Sequence, residues 1–332
     1  MKRREFMTLL GGAAVAWPLA ARAQQMDRMR RVGLLMNASA NDKVYQDYVA
    51  TFANGLQRLG WIEGQNLQIE VRWNAGDAQL ARIYAAQLIG LKPDVIIASS
   101  TTNLTIVQQA TNTVPIVFVF VSDPVGQGFV PNVAKPGGNI TGFSYYEFSV
   151  GGKWLGLLKE VSPTIARVGV VFNPDTSPQS RFFMRSVEAA ATVLGVEVAA
   201  LAVRAMEDIE PTFERFARSP NGGLVLPTDA TVRPRTKLMA ELATRYRLPA
   251  IAATSDFARN GGLMAYDLSP SIPGQFHQAA YYVDRILKGT KPGDLPIERA
   301  DRYRFVLNMK TAKAFGLTVP LPLLGLADEV IE

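Results

Sequence analysis

Arg31-Val32-Gly33-Leu34-Leu35-Met36 and Arg167-Val168-Gly169-Val170-Val171-Phe172 decide the fold. Each is an arginine, a Val-Gly pair and a short apolar run of buried-strand length, and helical periodicity follows each one. After the first, Val44, Tyr48, Phe52, Leu56 and Leu59 recur at helical spacing and Gly60 closes the helix. After the second, Phe183, Val187, Ala190 and Leu194 do the same. Outward from the first run, predicted strands at Asn66 to Trp73, Pro93 to Ala98 and Pro115 to Val121 alternate with helices carrying Leu80, Tyr84 and Leu88, then Leu104 to Ala110. Outward from the second, strands at Val196 to Leu201, Gly223 to Leu226 and Pro249 to Ala253 alternate with helices at Ile209 to Phe216 and Thr236 to Tyr246. Strand-helix alternation implies a parallel sheet covered on both faces. The duplication therefore predicts an α/β protein of two doubly wound parallel-sheet lobes.

The elements left over predict a multi-strand hinge. Segments near Thr141 to Ser144, Ala265 to Leu268 and Arg302 to Val306 are read as crossings, and the long helix carrying Phe276, Ala280, Val283 and Leu287 as returning to lobe one. Lobe one is expected to hold residues 31–142 plus 267–300, and lobe two residues 145–265 plus 303–332. Ligands of such sheets bind at the carboxyl ends of the strands, so two lobes facing each other there make a cleft that closes by hinge motion.

The chain has 332 residues, 48% hydrophobic and 19% charged, enough for two cores. Residues 1–23 read as a signal peptide: Lys2, Arg3 and Arg4, a mild apolar stretch from Phe6 to Ala20, and a small-x-small cleavage site at Ala21-Arg22-Ala23. Arg3-Arg4-Glu5-Phe6-Met7 matches the twin-arginine pattern, with an ordinary Sec signal as the alternative. Cleavage removes four positive charges and one negative charge, taking the net charge from +6 to +3. The remaining basic residues are scattered, so nucleic acid is not an expected partner. There are no cysteines, which excludes disulfides, thiolate chemistry and a lipidated anchor cysteine. The expected location is the periplasm, free of the membrane, and the expected state is a monomer.

Ser122-Asp123-Pro124-Val125-Gly126, Lys135-Pro136-Gly137-Gly138-Asn139-Ile140-Thr141-Gly142, Leu157-Leu158-Lys159-Glu160 and Asn173-Pro174 carry a resemblance to a known family. The chain resembles the TrpX-like ABC transporter substrate-binding proteins, which have the type I periplasmic-binding fold. The similarity runs from about residue 31 to the C-terminus, and the Pro-Gly-Gly-Asn-x-Thr-Gly block is its most specific part. The resemblance implies binding without catalysis, no cofactor, a small-molecule ligand with aromatic amino acids as one class, and an ABC permease in the inner membrane as partner. A ligand-sensing subunit feeding a membrane receptor or kinase is the alternative role.

The strand ends supply the candidate ligand contacts. In lobe one they are Asn37 and Ser39, then Ser100, Thr101 and Thr102, then Ser122 and Asp123. Hydroxyls and free amides at a helix N-terminus suit a carboxylate, although Ser and Thr there also serve as plain caps. In lobe two they are Asn173 and Ser177, then Thr228 and Asp229, then Asp256. Asp256 stands where amino-acid-binding relatives place an acid for the ligand ammonium; an N-cap is its other reading, and Asp229 is the second choice. Asp123 precedes proline and is better read as a turn residue. Tyr145, Tyr146 and Phe257 can wall an apolar ligand or simply pack the lobe junction. An enzyme is not expected. His277 is the only histidine, and no nucleophile elbow, phosphate loop or metal-ligand spacing occurs.

Overall fold

The computed structural model describes residues 28–177, 179–227, 233–269, 272–299 and 302–332. The export-signal reading of residues 1–23 lies outside them, as do Thr228 and Asp229.

The first sheet is built from β1 (Arg30–Met36), β2 (Leu67–Trp73), β3 (Val95–Ser99), β4 (Ile116–Val121), β5 (Ile140–Ser144) and β11 (Glu298–Arg299), in the spatial order β11-β5-β4-β3-β1-β2. All of its pairings are parallel. Its central strands are apolar throughout because helices cover both faces. Val32, Leu34 and Met36 of β1, with Val117 and Val119 of β4, pack under helices α1 (Lys43–Arg58) and α9 (Ile272–Leu287). Leu35 of β1, with Ile116 and Phe118 of β4, faces α2 (Ala78–Gly90) and α3 (Thr101–Ala110). The amphipathic spacing of α1 buries Tyr48, Phe52 and Leu56, and the Asp42 carboxylate caps it by accepting from the Val44 and Tyr45 N–H groups.

The second sheet has the order β13-β12-β10-β9-β8-β6-β7. Its strands are β6 (Arg167–Phe172), β7 (Glu197–Ala202), β8 (Gly222–Leu226), β9 (Ala250–Ala252), β10 (Met264–Ser269), β12 (Arg302–Asn308) and β13 (Glu329–Ile331). Only the β10–β12 pair is antiparallel. One face packs on α4 (Val150–Val161) and α5 (Ser180–Leu194) around Trp154 and Phe183. The other packs on α6 (Ile209–Ala217) and α7 (Thr236–Arg245) around Phe213 and Met239.

The chain passes between the sheets three times: after β5, between β10 and α9, and between β11 and β12. β10 runs from Met264 to Ser269, and Leu268 carries its apolar face into the core that holds Trp154. Three elements had no clear sequence signal: the two-residue β11, the one-turn α8 (Ser255–Arg259) and the C-terminal β13, which pairs with β12. Among the described residues no helix is long and apolar enough to cross a membrane.

The Pro136 to Gly142 block is scaffold, away from the strand ends that face the other sheet. Gly137 N–H donates to Gly293 O at 3.3 Å, Asn139 Nδ2 to Val114 O at 2.8 Å, and the buried Thr141 Oγ1 to Leu295 O at 2.8 Å. Gly142 has φ +151°, and a Cβ there would meet Phe118 O at 2.2 Å, so only glycine fits.

Candidate functional site

The carboxyl ends of the two sheets face each other. At the edge far from the crossings they come close: a Cβ added to Gly76, in the loop after β2, would lie 3.7 Å from Thr176 Cγ2 and 4.0 Å from Asn37 Oδ1. At the crossings, the Tyr146 hydroxyl donates to Ala253 O at 2.6 Å, and Asp123 N–H donates to Tyr146 O at 2.8 Å. The space between these two contacts is the candidate site.

Lobe one's edge is held by a buried amide network that the sequence reading missed. Asn103 is fully buried; its Nδ2 donates to Leu35 O at 3.0 Å and Ser99 O at 3.1 Å, and its Oδ1 accepts from Asn74 Nδ2 at 2.6 Å. Asn74 Oδ1 accepts from Gly76 N–H at 3.1 Å, and Ser99 Oγ accepts from Asn37 N–H at 3.1 Å. The ends of β1, β2 and β3 are thereby locked to the start of α3. The backbone there is strained. Ala75, Ser100, Phe120 and Asp123 are four of the seven described non-glycine residues with left-handed φ. Ser100, at φ 111° and ψ 158°, occupies a region that is essentially glycine's.

The predicted residues of this edge divide by role. Ser100 Oγ caps α3 by accepting from Asn103 N–H at 3.2 Å. Thr101 is buried, with its hydroxyl 3.5 Å from Gln127 Nε2. Thr102 is half-buried at the first turn, and its hydroxyl has no protein partner among the described residues. Ser122 is buried and its carbonyl accepts from Gln127 Nε2 at 2.5 Å. Asp123 is a turn residue whose Oδ1 accepts from Gly126 N–H at 2.8 Å. Asn37 is half-buried beside Gly76, and Ser39 is exposed in the turn that starts α1.

Beside Ser100, whose N–H donates to Val119 O at 3.0 Å, stands an aromatic wall. The half-buried Phe120 ring lies 6.3 Å from Tyr45, 6.1 Å from Tyr48, 5.7 Å from Tyr145 and 5.6 Å from Phe276, mostly edge-on. Tyr45 and Tyr145 are half-buried as well. Of the aromatics singled out from the sequence, Tyr145 belongs to this wall. Tyr146 is sealed at the junction, where burial above all, with Tyr145 next, pushes its hydroxyl well above the ordinary tyrosine range. Phe257 is core.

Lobe two's edge is quieter. Asn173 is buried; its Oδ1 accepts from Asp175 and Thr176 N–H, and its Nδ2 donates to Arg204 O at 3.0 Å. Ser177 is buried against Gln179, whose Oε1 is buried with no hydrogen-bond partner among the described residues. Asp256 stands apart from the others: its side chain is 64% exposed and lies 3.7 Å from Arg259. Thr254 takes the cap position of α8 instead. The inward carboxylate is Asp267, 13% exposed, whose Oδ2 accepts from Ser255 N–H at 2.7 Å and Ser255 Oγ at 2.5 Å. A β10 acid bonded to the first residue of α8, twelve residues earlier, leaves no periodic signal in the sequence.

The crossings carry their own cluster. Glu147 Oε1 lies 3.4 Å from Arg299 Nε, joining the first crossing to the third. Burial raises the Glu147 carboxyl above its usual range; Arg299 opposes this and Asp123 adds to it. Tyr303 stacks on Tyr266 at 4.9 Å, and its hydroxyl is pushed up to about 12, first by burial and then by the Glu147 charge. Among the described residues no group of three or more His, Asp or Glu could hold a metal.

Comparison with known proteins gives a consistent result. The sequence profile of a family described as ABC transporter substrate binding protein matches residues 38–331. A tyrosine-binding protein of Clostridioides difficile is 26% identical over 266 residues, covering 80% of this chain and 75% of that one. A conserved domain protein of Vibrio cholerae superposes with a TM-score of 0.79 at 26% identity, covering 91% of this chain and all of that one. A Streptococcus pneumoniae ABC domain in complex with L-Trp superposes with a TM-score of 0.76 at 23% identity, covering 91% and 99%. The two sheets and their three crossings are the type I periplasmic-binding fold.

Proposed function

The chain belongs to the ABC transporter substrate-binding protein family, and from that premise we propose that it is the periplasmic solute-binding component of an ABC importer, capturing an amino acid with an aromatic side chain. The observation that carries this reading is the pairing, on one strand edge, of the Phe120, Tyr45 and Tyr145 wall with the α3 N-terminus at Ser100–Thr102. A carboxylate on the Thr102 hydroxyl and the α3 amides, where the helix dipole favours an anion, leaves a side chain to lie along the rings. The tyrosine-binding relative and the L-Trp complex support the same class of ligand.

The two sheets act as lobes, residues 28–144 with 272–299 and residues 145–269 with 302–332. A ligand that contacts both favours closure, because only the closed form completes both sets of contacts. The protein works as an exported monomer, released after Ala23 through the twin-arginine route, delivering ligand to an inner-membrane permease without transforming it. The test is a thermal-shift and calorimetry series with L-tyrosine, L-tryptophan, L-leucine and plain carboxylates. Aromatic amino acids should raise the melting temperature, since a ligand of the folded state stabilises it. Binding of L-leucine or a plain acid in preference to both aromatic amino acids would overturn the proposal.

A further inference from the structure

We infer that Gln275 is a positioning residue that sets the aromatic wall of the cleft and, through it, the preference for an aromatic side chain; the second half rests on the binding reading above. The starting point is a defect in β4. Along this strand Ile116 and Phe118 face α2 and α3, while Val117 and Val119 face α1 and α9. Alternation would send Phe120 to the α2–α3 side. Its ring instead joins Tyr48 and Phe276 on the α1–α9 side, and Val121 returns to the α2–α3 core. Phe120 has φ +60°, and the pairing with β5 slips between Phe118 and Val121. This is a bulge, a device that re-aims one side chain at the cost of an unpaired backbone group.

That backbone group has one replacement partner among the described residues. Phe120 N–H donates to Gln275 Oε1 at 3.1 Å, and Gln275 Nε2 lies 3.5 Å from Ser144 O at the end of β5. Gln275 is 4% exposed and sits in the first turn of α9, directly after the chain crosses from lobe two. One buried amide therefore fills the gap where the β4–β5 ladder is broken. Without its acceptor, the Phe120 N–H is left buried and unpaired, which is costly. Regular pairing would satisfy the N–H but return the ring to the other face. Gln275 thus decides between two placements of Phe120 without being one of the rings.

The experiment uses the purified protein with 13C-labelled phenylalanine rings, as wild type, Gln275→Leu, Gln275→Glu and, for assignment, Phe120→Ala. Gln275→Leu should displace the Phe120 ring resonance. It should also weaken L-tyrosine binding about tenfold or more, the scale of one unpaired buried donor, and affect L-leucine binding less, so that discrimination narrows. Gln275→Glu keeps an acceptor for Phe120 N–H and should keep both the resonance and the discrimination. If Gln275→Leu does not fold, Gln275→Glu carries the test, and a displaced ring in that variant overturns the inference. An unmoved ring in folded Gln275→Leu also overturns it. A wild-type protein that ignores L-tyrosine defeats the ligand reading and the specificity half with it, while the ring resonance still decides the positioning half. Full tyrosine preference in Gln275→Leu, together with its loss in Phe120→Ala, sinks the specificity claim and leaves the ligand reading standing.

Discussion

The two cleft edges are built from the same strand-loop-helix unit, yet lobe one's is strained and locked while lobe two's described edge is relaxed. In lobe one, Ala75, Ser100, Phe120 and Asp123 all hold left-handed backbone at the carboxyl ends of strands. In lobe two the described left-handed non-glycine residues, Asn221 and Arg247, sit at the opposite end, before β8 and β9. Strained conformations persist only where the surroundings over-determine them. The buried Asn74–Asn103 pair does that in lobe one, whereas the described strand ends of lobe two are tied by separate single links, Asn173 to Arg204 O and Asp267 to Ser255. On the closure proposed above, lobe one would present the preformed surface and lobe two would close on it.

The sharpest way to break this comparison is to remove the lock. Asn103→Ala strands the Leu35 and Ser99 carbonyls and the Asn74 amide in a buried site. It should destabilise the protein by about 2–4 kcal/mol in denaturant melts. Asn173→Ala in lobe two loses its bond to Arg204 O and two turn contacts and should cost about 1–2 kcal/mol. Equal losses would mean that the two edges are equally locked.

A second comparison turns on sign. Ser100→Gly relieves backbone strain of about 1–3 kcal/mol and forfeits only a few tenths for the cap. After the entropy cost of glycine it should raise stability by about 1 kcal/mol. Thr254→Gly, at the equivalent cap of α8 but with ordinary extended φ of −148°, should lower it by about 0.5–1 kcal/mol. Opposite signs in one thermal-melt series support the strain reading; the same sign refutes it.

Much of this architecture was legible in the chain. The paired Arg-Val-Gly strands, the alternating elements and the three leftover crossings follow from periodicity, because strands buried on both faces read as unbroken apolar runs. The Pro-Gly-Gly-Asn-Ile-Thr-Gly block was legible as a signature, although its job is to tie loops and fit a glycine against Phe118. The sequence also located Ser100, Thr101 and Thr102 at the carboxyl end of β3, where α3 begins. The bonds that position them were not legible: Asn103 to Leu35, Gln275 to Phe120 and Asp267 to Ser255 join residues distant in sequence or on different elements. A bulge that rolls one ring to the opposite face also contradicts the alternation from which strands are read.

Between the lobes, Glu147 gives the comparison a pH axis. Its carboxyl titrates above its usual range of about 4 because burial outweighs Arg299. A raised acid favours folding most when protonated, so its contribution is present at low pH and is lost as pH rises through the folded value. Glu147→Gln should therefore gain stability over wild type near pH 7, and the gain should vanish below about pH 4. Glu329, held low by its bidentate pairing with Arg259, runs the other way: Glu329→Gln should lose stability near neutrality, and the loss should fade as pH falls. Thermal melts of both variants from pH 4 to 8 check this, and parallel trends would refute it.

The smallest effect concerns the residue that the sequence made most attractive. Asp256 follows the strand that faces the cleft, and an ammonium group needs a carboxylate. If it were the buried partner of a ligand amine, Asp256→Ala would cost on the order of 2–5 kcal/mol of binding. Its side chain is 64% exposed, however, and turned to Arg259, which is also held by Glu329. A solvated carboxylate paired at 3.7 Å has little to lose, so Asp256→Ala should change affinity by less than about 0.5 kcal/mol. Asp267→Asn provides the contrast: it disturbs the inward acid that holds Ser255, and so should shift the α8 start and weaken binding more than Asp256→Ala does. Calorimetry with L-tyrosine on both variants ranks them. A multi-kcal loss in Asp256→Ala alone would show that this carboxylate swings inward when the lobes hold ligand, and lobe two's edge would then be the one that reorganises on binding.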